Sequence, residues 1–229
     1  MEDLEKETVV VVKEASQVAE NKDITVVIPY VKSEAQGNEL MYALRSIACN
    51  LRHAFNVVVI GDREDWFSDK ITHIPHEKRE NSSPQIDILE KLCKALKSDE
   101  VSEEFIFTAD DTFFMQNILL SHIEVPKTTQ KHIPIALSKT RLKSMLEKQQ
   151  ETPVDIFSEY FESLGIMPVD ANWETAPYVL RVSSQEPNED IFKKYINERF
   201  FLNIAPTAWG TFIEKFLSDY FSEPSIYEK

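Results

Sequence analysis

Two adjacent acids, Asp110 and Asp111, follow the apolar run Phe105-Ile106-Phe107-Thr108-Ala109 and precede Thr112-Phe113-Phe114. A carboxylate is costly to bury unless it meets a cation or a hydrogen-bonding partner. A pair of them at the end of a buried strand therefore suits hard-oxygen coordination of Mg²⁺ or Mn²⁺. The same pair also suits a turn or a helix cap, and both readings stand at this level. In an open α/β sheet ligands bind beyond the carboxyl ends of the strands, which is where this pair falls.

The elements that must position the pair come next. Ile24-Thr25-Val26-Val27-Ile28-Pro29-Tyr30 is a nearly continuous apolar strand, as expected of a parallel sheet covered on both faces. Leu40, Leu44, Ile47, Ala48 and Leu51 repeat at helical spacing. Asn56 to Ile60 form a second buried strand, closed by Gly61-Asp62, and Ile71 to Ile74 a weaker third. Ser82-Ser83-Pro84-Gln85 starts a helix with a serine cap and a proline in the first turn, which runs through Leu89, Leu92, Cys93 and Leu96. The Phe105 run is the fourth strand. This β-α-β-β-α-β order specifies a mostly parallel α/β sheet flanked by helices.

The remainder reads as helical. Helices are expected from Thr152 to Gly165, over Asn188 to Arg199 and from Trp209 to Phe221, with an irregular Asn172-Trp173-Glu174 segment between them. Residues 1–22 read as an extension, whose run Thr8 to Val12 could add an edge strand. Residues 23–229 read as one domain, an α/β half (23–115) followed by a helical half (116–229).

Composition narrows the function classes. The 229 residues carry a formal charge of −14, which opposes non-specific nucleic-acid binding. An anionic substrate stays open, because a bound divalent cation reverses the local sign. With four glycines in the chain, neither GxGxxG nor a Walker A loop is present. The two cysteines, Cys49 and Cys93, read as small core residues on helix faces, not as a disulfide or a metal pair. No transmembrane stretch or signal-peptide pattern is evident, so a cytoplasmic protein is expected, of unspecified oligomeric state.

A strand ending in Pro29-Tyr30, a helix with Leu44-Arg45-Ser46-Ile47, a strand ending in Gly61-Asp62 and a strand ending in Asp110-Asp111-Thr112-Phe113-Phe114 together resemble the GT-A glycosyltransferases. The likeness is to small bacterial and phage sugar transferases and to Stealth-type capsule sugar-phosphate transferases. It spans roughly residues 23–145, and rests on the ordered set, since aspartate pairs after strands are common. It implies a single GT-A-like domain, with 23–115 as its nucleotide-binding half and 116–229 as its acceptor half, that uses a nucleotide-sugar donor, a glycan or small-molecule acceptor and Mn²⁺ or Mg²⁺, in bacterial surface-polysaccharide synthesis.

Position by position, the resemblance makes Pro29 and Tyr30 the floor of the nucleotide pocket. It gives Asp62 a hydrogen bond from base or ribose and places Arg63 beside it. Asp110 and Asp111 hold the metal, Asp111 first, with Asp110 also reaching the ribose, and Glu174 is the candidate base. The chain departs from the pattern at Ala109, where an acid is expected, and after Glu174, where no histidine follows. Its histidines are His53, His73, His76, His122 and His132. These departures leave a catalytically silent, GT-A-like binding or scaffold protein as an alternative, the Stealth likeness leaves a sugar-phosphate transferase, and the pair Asp110 and Asp111 by itself leaves a metal-dependent phosphohydrolase.

Overall fold

The computed structural model describes residues 23–124, 134–148, 160, 179–182, 192 and 196–229. The expected edge strand at Thr8 to Val12, the Thr152 helix apart from Tyr160, and Glu174 lie outside the described residues.

Four parallel strands form the frame: β1 (Ile24–Tyr30), β2 (Phe55–Gly61), β3 (Ile71–Pro75) and β4 (Glu104–Phe107). A fifth strand, β6 (Ile135–Ser138), joins antiparallel beside β4, giving the order β3-β2-β1-β4-β6. The chain thus builds outward from β1 to β3, then returns to the opposite side of β1 as β4. That reversal makes the β1/β4 junction the switch point of the sheet, where ligands of open α/β folds bind.

Alternation along β1 divides the core between two helices. Val26 and Ile28 face Leu40, Leu44 and Ile47 of α1 (Glu39–Asn50). Val27 faces the other way, toward Leu92, Ala95 and Leu96 of α2 (Pro84–Lys97). All three strand residues are fully buried, which is why β1 reads as an unbroken apolar run. The α2 start behaves as its sequence implies: Ser83 Oγ accepts from the Ile86 N–H at 3.3 Å, and Pro84 opens the first turn.

The second half departs from the expected all-helical character. Thr112–Phe114 is β5, and it pairs antiparallel with β8 (Phe201–Ile204), which pairs in parallel with β7 (Val179–Val182). Between β5 and β8 lie α3 (Leu120–Glu124), β6 and α4 (Lys139–Lys148). The expected C-terminal helix is present as α5 (Thr211–Tyr220). Its Ile213 and Leu217 pack with Phe113, Leu202 and Ile204 of the small sheet and with Tyr42 and Ala43 of α1. Of the expected Asn188–Arg199 helix, Phe192 is described and helical, and Ile196–Glu198 form a short 3₁₀ turn. Cys49 is exposed and Cys93 half-buried, so neither is the fully buried core residue expected, and both are free thiols.

Helix α1 ties the two sheets together. Ser46 Oγ donates to the Ala43 carbonyl at 2.7 Å and accepts from the Phe114 N–H at 2.9 Å, while Asn50 Nδ2 donates to the Phe114 carbonyl at 2.6 Å. Arg45 makes a two-pronged pair with Glu228, at 2.9 and 2.7 Å, and donates to the Phe221 carbonyl. The Leu44-Arg45-Ser46-Ile47 phrase therefore serves three purposes: core packing, anchoring of the C-terminal segment, and fixing of the strand that follows the aspartates.

Candidate functional site: an acidic cleft at the sheet switch point

Beyond the ends of β1 and β4 lies a cleft of about 220 Å³ lined by Pro29, Val31, Glu34, Glu39, Asp87, Lys91, Ala109, Asp110, Asp111 and Pro206, with Ile88. β4 pairs with β1 up to Phe107 opposite Val27, and the Thr108 N–H still bonds the Val27 carbonyl at 3.1 Å. The chain then turns across the end of β1, which brings Asp110 and Asp111 beside Pro29. The Thr112 N–H closes this turn on the Ala109 carbonyl at 3.3 Å.

Asp111 is 9% exposed and oriented from the far end of the chain. Asn203 of β8, itself buried, donates from Nδ2 to Asp111 Oδ1 at 2.9 Å and to Thr112 Oγ1 at 3.0 Å. Burial raises the Asp110 carboxyl to about 6; backbone hydrogen bonds and the Lys91 charge pull down against burial, and Glu34 pushes up with it.

A third acid faces the pair. Glu39, in the first turn of α1, is 4% exposed. Its Oε1 accepts from the Gln36 N–H at 2.9 Å, while Oε2 is buried without a hydrogen-bond partner. Burial, then the charge of Asp110, push its carboxyl up to about 8.

Among the described residues, Lys91 is the one basic side chain lining the cleft, and it is 1% exposed. It donates to Asp87 Oδ2 at 2.7 Å and to the Tyr30 carbonyl at 3.0 Å. Asp87 in turn pairs through Oδ1 with His76 Nε2 at 3.1 Å. Asp87 is thus neutralised within the protein, and Glu34 is paired with Lys78. Glu39, Asp110 and Asp111 are the other acids that line the cleft.

The other expected site residues lie around this cleft. Pro29 lines it. The Tyr30 side chain turns into the core, where its hydroxyl donates to Glu64 Oε1 at 2.7 Å, and burial followed by that bond raises its pKa. Asp62 accepts the Lys32 N–H at 2.8 Å, fastening the loop after β1 to the end of β2, and Arg63 is exposed next to it. Gly61 sits between them at φ 136°, where a Cβ would lie 1.8 Å from the Tyr30 carbonyl oxygen. Only glycine brings β2 this close to β1. His73 bonds the Gly61 carbonyl at 2.9 Å, so both histidines of this region support the strand ends.

Sequence reasoning missed Glu39, Asp87, Lys91 and Asn203. One signal was available: Ile88, Lys91, Leu92 and Ala95 share the helical spacing of a buried stripe, and a lysine within such a stripe implies a buried acid partner.

The donor set fits a hard divalent cation in kind, since Asp110 and Asp111 offer carboxylate oxygens. Among the described residues, no three His, Cys, Asp or Glu side chains converge as a complete cage. A Mg²⁺ or Mn²⁺ ion here would complete its shell with ligand phosphate oxygens and water, as Mg²⁺ commonly does.

This sheet order, with an acidic turn at the switch point, defines a GT-A-like α/β fold. It is similar to the glycosyltransferase GlyE of Streptococcus pneumoniae TIGR4, with a TM-score of 0.50 at 10% identity over 89% of this chain and 61% of that one. The apo form of GlyE aligns with a TM-score of 0.48 at 11% identity, over 88% and 60%. A 4-diphosphocytidyl-2C-methyl-D-erythritol synthase aligns at 0.40 and 13% identity, over 64% and 87%. The chain spans about three fifths of the length of the GlyE chains. No protein-family model matches it, and no curated protein does. No helix among the described residues is long and apolar enough to cross a membrane.

Proposed function

We propose that the protein transfers a sugar from a nucleotide-sugar donor, with Mg²⁺ or Mn²⁺ at Asp110 and Asp111. The observation that carries this reading is the charge of the cleft. Among the described residues, Glu39, Asp110 and Asp111 line the switch point of a GT-A-like sheet together with one lysine that is already paired to Asp87. A diphosphate entering such a cleft alone would meet like charge. A divalent cation held by Asp110 and Asp111 would reverse that sign. When bound, the cation stabilises the charge left on the departing diphosphate.

The chain's own residues have distinct tasks in this account. Asn203 orients Asp111, with Ser46 and Asn50 fixing β5 immediately after it. Lys91 supplies positive charge at the floor of the cleft and braces the end of β1 through the Tyr30 carbonyl. Pro29 offers an apolar surface, and Asp62 and Gly61 shape the neighbouring rim. Glu174 is proposed as the base that accepts the acceptor's proton. A role in bacterial surface-polysaccharide synthesis, in the cytoplasm, belongs to the same proposal and is supported by the motif likeness.

The test is turnover: release of nucleoside diphosphate from a panel of nucleotide sugars, with Mn²⁺ or Mg²⁺ and with chelator. Metal-dependent release that disappears in Asp111→Asn supports the reading. Metal-dependent binding without release from any donor would favour a silent GT-A-like binding protein. Release of nucleoside monophosphate would favour sugar-phosphate transfer.

A further inference from the structure

Glu39 is the residue of this cleft that neither the motif nor the metal role accounts for. Its carboxylate is immobilised by the Gln36 N–H on Oε1, at 2.9 Å, and by burial to 4% exposure. Holding the Gln36 N–H in the loop before α1 uses that one oxygen alone. The second oxygen, Oε2, is buried in the lining of the cleft with no hydrogen-bond partner. Buried polar atoms are almost always paired, and an orphan at a ligand cleft calls for a partner that arrives from outside. Glu39 is not a third ligand of a preformed cation cage, because no such three-residue group exists among the described residues. A hydroxyl, which can both donate and accept, satisfies Oε2 whether or not Glu39 carries a proton, and it brings no negative charge beside Asp110 and Asp111.

We infer that Glu39 is a ligand-binding residue whose Oε2 hydrogen-bonds a hydroxyl of the donor's sugar, beside the diphosphate held at Asp110 and Asp111. This rests on the donor reading above and adds to it: Glu39 selects the sugar-bearing donor over the bare diphosphate.

The experiment compares Glu39→Leu and Glu39→Gln with the parent by calorimetric titration in Mn²⁺, using nucleotide sugars and the matching nucleoside diphosphates. Glu39→Leu is expected to bind the bare diphosphate as the parent does and the nucleotide sugar roughly tenfold or more weakly. Glu39→Gln, which keeps a bond to Gln36, is expected to fall between the two, and decides the matter if the leucine variant fails to fold. Unchanged affinity for both ligands, or equal loss for both, overturns the inference and leaves Glu39 a structural carboxylate. A parent protein that binds no diphosphate or nucleotide sugar rejects the donor reading itself, and this inference with it.

Discussion

Asn203 donates to Asp111 Oδ1 at 2.9 Å, so an acid at the end of β4 takes its orientation from a strand near the other end of the chain. The same amide holds Thr112 Oγ1 at 3.0 Å, which makes Asn203 the joint between the aspartate turn and the small sheet. Asn203→Leu removes both bonds from a buried site. It is expected to destabilise the fold by about 1–3 kcal/mol and to weaken any Mn²⁺-dependent ligand response beyond what the lower stability explains. Urea unfolding and ligand titration on the same variant separate the two effects.

The buried Lys91–Asp87 pair offers a test of the cleft floor. Lys91→Met leaves Asp87 beside the other acids without its ammonium, and loss of one partner of a buried pair costs about 3–5 kcal/mol. Lys91→Met combined with Asp87→Leu should recover part of that loss, since an apolar pair carries no stranded charge. Denaturation midpoints of the single and double variants check this. A single variant as stable as the parent would show that the pair contributes nothing.

Gly61 has no tolerable replacement. An alanine Cβ would meet the Tyr30 carbonyl at 1.8 Å, in a backbone conformation that L residues rarely adopt. Gly61→Ala should cost about 2 kcal/mol or more by forcing β1 and β2 apart, read as a lowered thermal midpoint. Gly210 has open space around its Cα, and Gly210→Ala serves as the comparison, with little change expected.

The pH dependence follows from Glu39. Its folded-state pKa, pushed to about 8 by burial and then by Asp110, lies above the 4.5 of an ordinary glutamate. Between those values the folded state binds the extra proton, so stability is full below about pH 4.5 and declines as pH rises through about 8. The loss attributable to this group is of the order of a few kcal/mol. Asp110, raised to about 6, adds a decline of the same sign ending near that pH. Chemical denaturation from pH 5 to pH 9 should show this slope, reduced in Glu39→Gln; a stability that rises over this range in the parent and not in the variant would contradict it.

The frame was legible because its signals are long and local. β1 and β2 are apolar runs of seven residues each, and α2 announces itself through Ser83 and Pro84. The small sheet was not legible. β5 has three residues and β8 four, too short for either hydrophobic period to emerge, and β8 lies in a stretch whose aromatics also suit a helix. The aspartate turn could be found from sequence because a buried strand pointed at it. Lys91 was marked only by its place in the apolar stripe of α2, and Glu39 and Asp87 were not marked at all, because charged residues on helices ordinarily face solvent and their burial here depends on the sheet geometry that brings α1 and α2 to the two sides of one cleft. Arg45 and Ser46 were noticed as part of a motif, but what they do emerged only with Glu228 and Phe114 in place.

The central claim is that an anionic donor enters this acidic cleft only together with a divalent cation. The most direct measurement is the affinity of nucleoside diphosphates for the parent and for Asp110→Asn/Asp111→Asn, with Mn²⁺ and with chelator. The account expects binding by the parent in Mn²⁺ alone and none by the double variant. At a hundred times the dissociation constant that binding stabilises the fold by roughly 2.7 kcal/mol, an independent check by thermal midpoint. Diphosphate binding that persists in chelator, or that survives loss of both acids, would contradict it.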